Sequence, residues 1–168
     1  MSPPVECRAF APGSIGNLAC GFDVLGLALE TVGDEVVARR LQEPGVRISG
    51  ITGDEGRRPM DPGANTAGAA AEALLHLLGL QSGVELEIRK GLPMSAGMGG
   101  SAASAVAAVV AVDALLESGL TPDVLLECAL SGEAVASGDR HPGNAAPSLL
   151  GGMVLTPSWT PLRMIPLE

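Results

Sequence analysis

Apolar and polar positions alternate with period two from Val84 to Arg89, where Val84, Leu86 and Ile88 face one way and Glu85, Glu87 and Arg89 the other. That pattern predicts a half-buried strand in an antiparallel sheet. Shorter runs of the same kind predict strands over Val5–Phe10, Val24–Leu29, Glu35–Arg40 and Val46–Ile51, with a further strand starting near Gly151. Helical spacing takes over at Asn65–Leu78, Ser101–Leu116 and Pro122–Ser137. Thr121 stands as an N-cap for the third helix, and Gly79, Gly119 and Gly138 stand as stops or nearby breaks. The polar run Thr52–Gly63, with Gly53, Gly56, Pro59 and Pro62, predicts a surface loop. Strands first and helices later define an α+β class, a mainly antiparallel sheet covered by helices.

Composition narrows the chemistry. The 168 residues are 46% hydrophobic but only 2% aromatic, so the core is built from Ala, Val, Leu and Ile. A formal charge of -9 argues against nucleic acid as a partner, because phosphate neutralisation by Lys and Arg supplies most of that affinity. Lys90 is the only lysine among ten basic residues, so an anionic substrate must be held by backbone amides, a metal ion or a few arginines. Cys7, Cys20 and Cys128 are odd in number and lack histidines at metal-ligand spacing, which argues for reduced thiols and a cytoplasmic setting. The most apolar stretch, Ala102–Leu116, contains Asp113 and falls short of the ~20 residues of a membrane span.

Three segments carry candidate chemistry. Residues 91–104 place glycines 97, 99 and 100 and the hydroxyls of Ser101 and Ser104 at the mouth of an alanine-rich helix. Free N–H groups at the positive end of a helix suit a phosphate; the bland alternative is a flexible loop with Ser101 as N-cap. The triphosphate P-loop needs Gly-Lys-Ser/Thr, which is missing, and the dinucleotide fingerprint needs an acid on a second strand, whereas Glu117 and Asp123 lie on or after the helix. Near the N-terminus, residues 11–28 form a dense loop in which Asn17 and Asp23 offer an amide and a carboxylate, or simply make turns. After the third helix, Glu133 and the string His141-Pro142-Gly143-Asn144 gather polar groups.

Taken in order, these segments resemble the GHMP small-molecule kinases, from about Cys7 to Leu155, and within that superfamily the homoserine kinases. The strings that carry the resemblance are Asn17-Leu18 with Gly21-Phe22-Asp23, and His141-Pro142-Gly143-Asn144-Ala145-Ala146-Pro147. The resemblance implies a ribosomal protein S5 domain 2-like fold, with residues 1–155 as the N-terminal ATP-binding domain and 156–168 as a linker or the opening of a C-terminal domain. It implies that Asn65, Pro93, Gly97, Met98, Gly99, Gly100, Ser101, Ala102 and Ser104 hold ATP, and that Ser101 and Glu133 hold Mg²⁺. Asn17, Asp23, His141 and Asn144 would form the homoserine pocket, Asp23 accepting from the substrate ammonium. Asn17, Asn144, Ser101 and Glu133 would act in catalysis.

Asn144 stands where mevalonate kinase has an aspartate base, and an amide cannot take a proton. The resemblance therefore implies catalysis by orientation and charge neutralisation without a protein base there. Gly100 departs from the family, which usually has a second serine at that place. The implied activity is ATP-dependent phosphorylation of L-homoserine to O-phosphohomoserine, on the way to threonine, in a soluble protein that could pair as a homodimer. Two alternatives stay open: a kinase for another small alcohol such as mevalonate or a sugar, and a domain that binds nucleotide without catalysis.

Overall fold

A computed structural model describes residues 3–18, 21–138, 140 and 142–167. In chain order the elements are β1 (Glu6–Leu18), β2 (Gly21–Leu41), β3 (Val46–Thr52), α1 (Thr66–Leu78), β4 (Gly83–Arg89), α2 (Gly100–Leu116), α3 (Pro122–Ser137), α4 (Pro142–Leu150), β5 (Met153–Trp159) and β6 (Leu162–Leu167). The strands make one sheet in the order β3-β4-β2-β5-β6, with β1 also paired to β2. All pairings are antiparallel except β3 with β4, which is parallel because α1 crosses over between them.

The long strand β2 organises the sheet. Residues Glu35–Leu41 pair with β4, Leu25–Leu27 pair with β5, and β1 follows its whole length through two register shifts. Two strands were expected here, Val24–Leu29 and Glu35–Arg40, and the residues of the expected dense loop at 11–28 mostly belong to β1 and β2. Pairing with a partner overrides the weak strand propensity of a glycine-rich segment, and the bulges take up its irregularity.

The helices lie together on the buried side. Helix α2 is mostly apolar, with eleven buried residues, and packs against β1, β2, α1 and α3. Opposite it, Val84, Leu86 and Ile88 are fully buried, as the alternation predicts. The other face of the sheet carries a ladder of ion pairs, Arg39 with Glu6 (2.6 Å) and Glu87 (3.1 Å), Arg89 with Glu35 (2.8 Å) and Arg47 with Glu85 (2.6 Å). These are partly exposed and add little stability singly.

Helix boundaries follow their caps. Asn65 is the N-cap of α1, accepting from the amides of Ala67 (3.0 Å) and Gly68 (3.5 Å), and Gly79 closes the helix in the left-handed conformation. Thr121 occupies the N-cap position of α3 without a side-chain hydrogen bond, and Pro122 begins that helix. Helix α2 starts at Gly100, one residue before the expected Ser101, with Gly99 as its N-cap; Glu117 rather than Gly119 ends it.

Helix α4 was not expected from the periodicity, because Pro142, Gly143 and Pro147 read as loop. Pro142 suits a first helical position, and Pro147, lacking an N–H, leaves the Gly143 carbonyl without its i+4 donor. That carbonyl lies against β2, where a Cβ on Gly26 would come within 2.1 Å of it. Gly26→Ala should therefore cost about 1–3 kcal/mol by forcing α4 off the sheet, measurable as a lowered urea midpoint. The expected boundary after residue 155 falls inside β5, which pairs with β6, so the sheet continues past it.

Candidate functional site

The site grows from the end of β4. Lys90 and Gly91 leave that strand beside Asp34, at the point where the edge of β2 passes from β5 to β4. The Asp34 carboxylate is wholly buried. It accepts from the amides of Gly91 (3.0 Å) and Leu92 (3.3 Å), from Ser104 Oγ (2.6 Å) and from the Lys90 ammonium. Lys90 Nζ also donates to the Gly100 carbonyl (2.6 Å) and to Ser104 Oγ (2.8 Å). Burial holds the Lys90 ammonium below its ordinary pKa, against the opposing pull of Asp34. One buried ion pair thus ties β2, the end of β4 and the first turn of α2 together.

The loop from Gly91 to Gly99 closes over this network. Gly99 takes a positive φ of 63° and brings no side chain to cap α2, so the first amides of the helix are open to an anion. Its lack of a Cβ is also spatial, since one would sit 2.5 Å from Ser14 Oγ. Ser14 joins the three segments: its amide donates to Met98 O (2.9 Å), and its hydroxyl donates to the Asn144 carbonyl (2.9 Å) while lying 3.1 Å from Asn144 Oδ1. Ser148 Oγ adds a bond from α4 to Pro12 O (2.7 Å). The N-terminal strand, the glycine loop and the start of α4 therefore meet at one place.

A cleft of about 440 Å³ runs along the loop, lined by residues 92–101 with Ile15, Gly16, Arg58, Lys90 and Asn144. Beside it a smaller cavity of about 170 Å³ is lined by Asn65, Thr66, Ile51, Ile88, Arg58, Lys90 and Ser104 among others. Pro93, Gly97, Met98, Gly99, Gly100, Ser101 and Asn144 all line the larger cleft. Ala102 is fully buried, so its amide is what it can offer a ligand. Ser104 faces the smaller cavity, its hydroxyl held by Asp34 and Lys90. Asn65 lines that cavity while spending its side chain on the α1 cap and on Pro59 O (2.9 Å).

Ser101 lies inside the first turn of α2, where its hydroxyl is hydrogen-bonded to the Glu133 carboxylate of α3. Glu133 is buried, and desolvation raises its carboxyl above the ordinary value, opposed by the Ser101 bond and by the charges of Lys90 and Arg58. Ser101 lines the cleft, and with the Glu133 carboxylate bonded to it makes an oxygen-only pair that fits Mg²⁺, which takes one or two protein oxygens together with phosphate oxygens.

The backbones of Asn17 and Asp23 lie at the paired end of β1 and β2, Asn17 opposite Phe22. Their side chains, and all of Cys20 and His141, lie outside the described residues. Four residues of the site escaped the sequence reading: Ser14, Asp34, Arg58 and Lys90. Period two puts Asp34 on the same face as buried Val36 and Ala38, and a carboxylate there needs a partner, which the only lysine could have supplied.

The fold is a mainly antiparallel sheet backed by helices, with a glycine loop opening the apolar-rich helix α2. The GHMP kinases N terminal domain profile matches residues 65–152, and the chain belongs to that family. It is similar to the homoserine kinase of Xanthomonas campestris pv. campestris (strain B100), 52% identical over 162 residues, which are 96% of this chain and 49% of that protein. It is also similar to the homoserine kinase of Chloroherpeton thalassium, 45% identical over 97% of this chain and 54% of that one. The chain thus spans about half the length of these curated relatives.

Among solved structures, the homoserine kinase of Cytophaga hutchinsonii matches with a TM-score of 0.94 and 43% identity, over the whole of this chain and 53% of that one. The mevalonate kinase of L. major shares the fold at a TM-score of 0.74 and 17% identity, over 99% of this chain and 55% of that one. Among the described residues, no helix is long and apolar enough to cross a membrane.

Proposed function

We propose that this chain forms the nucleotide-binding half of an ATP-dependent homoserine kinase, transferring the γ-phosphoryl group to the substrate hydroxyl and giving O-phosphohomoserine. One observation carries the reading: Ser14 holds the glycine loop at Met98 and α4 at Asn144 together, beside the Ser101–Glu133 pair. The resemblance to homoserine kinases at 52% and 45% identity supports the choice of acceptor.

In this reading the amides of Gly99–Ala102 and the dipole of α2 hold the phosphates. Ser101 and Glu133 hold Mg²⁺, which when bound neutralises phosphate charge. Asp23 takes the ammonium of homoserine, with Asn17, His141 and Asn144 around the rest of the amino acid. The Asn144 amide orients the hydroxyl but takes no proton, so the rate comes from placement and electrostatics. The remainder of the relatives' length is proposed to close the acceptor side of the cleft. The setting we propose is the cytoplasm, and homodimer formation is checked by sedimentation.

The test is ADP release from MgATP with L-homoserine, against no acceptor, mevalonate and galactose, on this chain alone and extended to the full length of its relatives. Homoserine-dependent release in the extended form supports the reading. Release with another acceptor reassigns the substrate, and nucleotide binding with no acceptor used in either form points to a binding domain. In the active form, Asp23→Ala should raise the homoserine KM at least tenfold and change the ATP KM less than twofold; equal losses for both would remove Asp23 from the acceptor pocket.

A further inference from the structure

An acidic chain has few cations to offer a nucleotide, and most of those in the structure are already engaged. Arg39, Arg47, Arg89 and Arg140 each meet a carboxylate, Arg40 donates to the Pro4 and Leu115 carbonyls, and Lys90 is tied to Asp34. Arg58 differs. Its Nε is buried and has no hydrogen-bond partner among the described residues.

The backbone at Arg58 is set for a purpose other than a mobile loop. Buried Asp54 accepts from the amides of Arg58 (3.0 Å) and Gly56 (3.1 Å), which fixes where the side chain leaves the chain. That side chain lines both the cleft along the glycine loop and the smaller cavity beside Asn65, so it stands at their junction. Its charge bears on both Lys90 and Glu133. A guanidinium nitrogen withdrawn from water without an acceptor is unfavourable unless a ligand supplies one, and phosphate oxygens match its planar fork.

We infer that Arg58 is a nucleotide-binding residue, donating to the phosphate oxygens of a nucleoside di- or triphosphate at the junction of the two cavities. This rests on the ATP reading above and adds a second side-chain cation to a site that otherwise offers amides, a hydroxyl, a carboxylate and the Asp34-paired Lys90. The loop bearing Arg58 then does more than join β3 to α1, since it supplies one wall of the phosphate site.

Isothermal titration of this chain with MgADP, inorganic tripolyphosphate and adenosine tests it. Arg58→Gln should weaken MgADP and tripolyphosphate at least tenfold and leave adenosine within twofold, Arg58→Lys should recover part of the loss, and Arg57→Gln, an exposed neighbour paired with Glu55, should change nothing. Unchanged MgADP affinity in Arg58→Gln overturns the inference. So does an equal loss for adenosine and MgADP, which would make the residue structural or a platform for the base. Should Arg58→Gln melt below the working temperature, Arg58→Lys decides: a threefold or greater loss for MgADP supports the inference and an unchanged affinity overturns it. An unmodified chain that binds neither MgADP nor tripolyphosphate brings down the nucleotide reading itself, and this inference with it.

Discussion

Asp34→Ala is expected to destabilise the fold by about 3–5 kcal/mol, because it leaves the Lys90 ammonium buried without its counter-ion. The side chains of Asp34 and Lys90 are only 0% and 5% exposed, so water cannot replace the lost carboxylate. Three other bonds go with it, from the Gly91 and Leu92 amides and from Ser104. Asp34→Asn keeps an acceptor for the two amides but loses the charge, and should fall between the two. Urea denaturation at fixed pH measures both. A loss under about 1 kcal/mol for Asp34→Ala would mean that the pair is hydrated and that the glycine loop has some other anchor. The larger consequence is for the loop, since Lys90 also holds the Gly100 carbonyl at the start of α2. Nucleotide affinity should therefore fall along with stability.

Glu133→Gln should act in the opposite direction on stability. Burial raises the Glu133 carboxyl above its ordinary pKa, so the folded protein holds that proton more tightly than the unfolded chain does. The contribution of this group is fully present below the ordinary glutamate value and is lost as pH rises through the folded one. At pH values above the folded one, the ionised side chain thus costs stability. The glutamine variant should be more stable there by about 0.5–2 kcal/mol and should lose that part of the pH dependence. The same change removes the carboxylate proposed to serve the metal, so the Mg²⁺ concentration for half-maximal ADP binding should rise roughly 10–100-fold. Thermal melts from pH 4 to 8, paired with Mg²⁺ titrations, read both effects. A variant with unchanged Mg²⁺ dependence would place the metal elsewhere, and one less stable at neutral pH would show that the Ser101 bond outweighs desolvation.

The two variants separate residues that build the site from residues that work in it. Asp34 lies beneath the loop and holds it through the Gly91 and Leu92 amides and Lys90. Glu133 is buried behind Ser101, which lines the cleft, and burial raises its carboxyl above the ordinary value, a cost that a carboxylate in the proposed metal role has to bear.

Much of this was legible along the chain because it depends on local spacing. Alternation from Val84 to Arg89 determined a strand with one charged face, and that face is solvated through Glu85, Glu87 and Arg89. The apolar-rich run after Gly100 determined a helix buried over most of its surface, and the glycines before it leave its first turn without a side-chain cap. The motif strings single out three segments, and the fold brings them together at Ser14, Met98 and Asn144.

What the tertiary structure alone decided are matters of partnership. A strand's length depends on what pairs with it, so β2 runs unbroken where local propensity suggests two pieces around Gly33. Helix α4 exists because β1 and β2 offer it a surface: Gly26 leaves room for the Gly143 carbonyl and Pro12 accepts from Ser148. Ser14, Asp34, Arg58 and Lys90 are short or charged residues, the last three outside the candidate segments, and all four act through neighbours up to 130 positions away. Sequence by itself determined the type of most elements and the uncapped glycine start of α2, because both follow from the residues in one stretch of chain. Only folding decided which charge is neutralised and which is left for a ligand, because burial and pairing are properties of residues brought together from far apart.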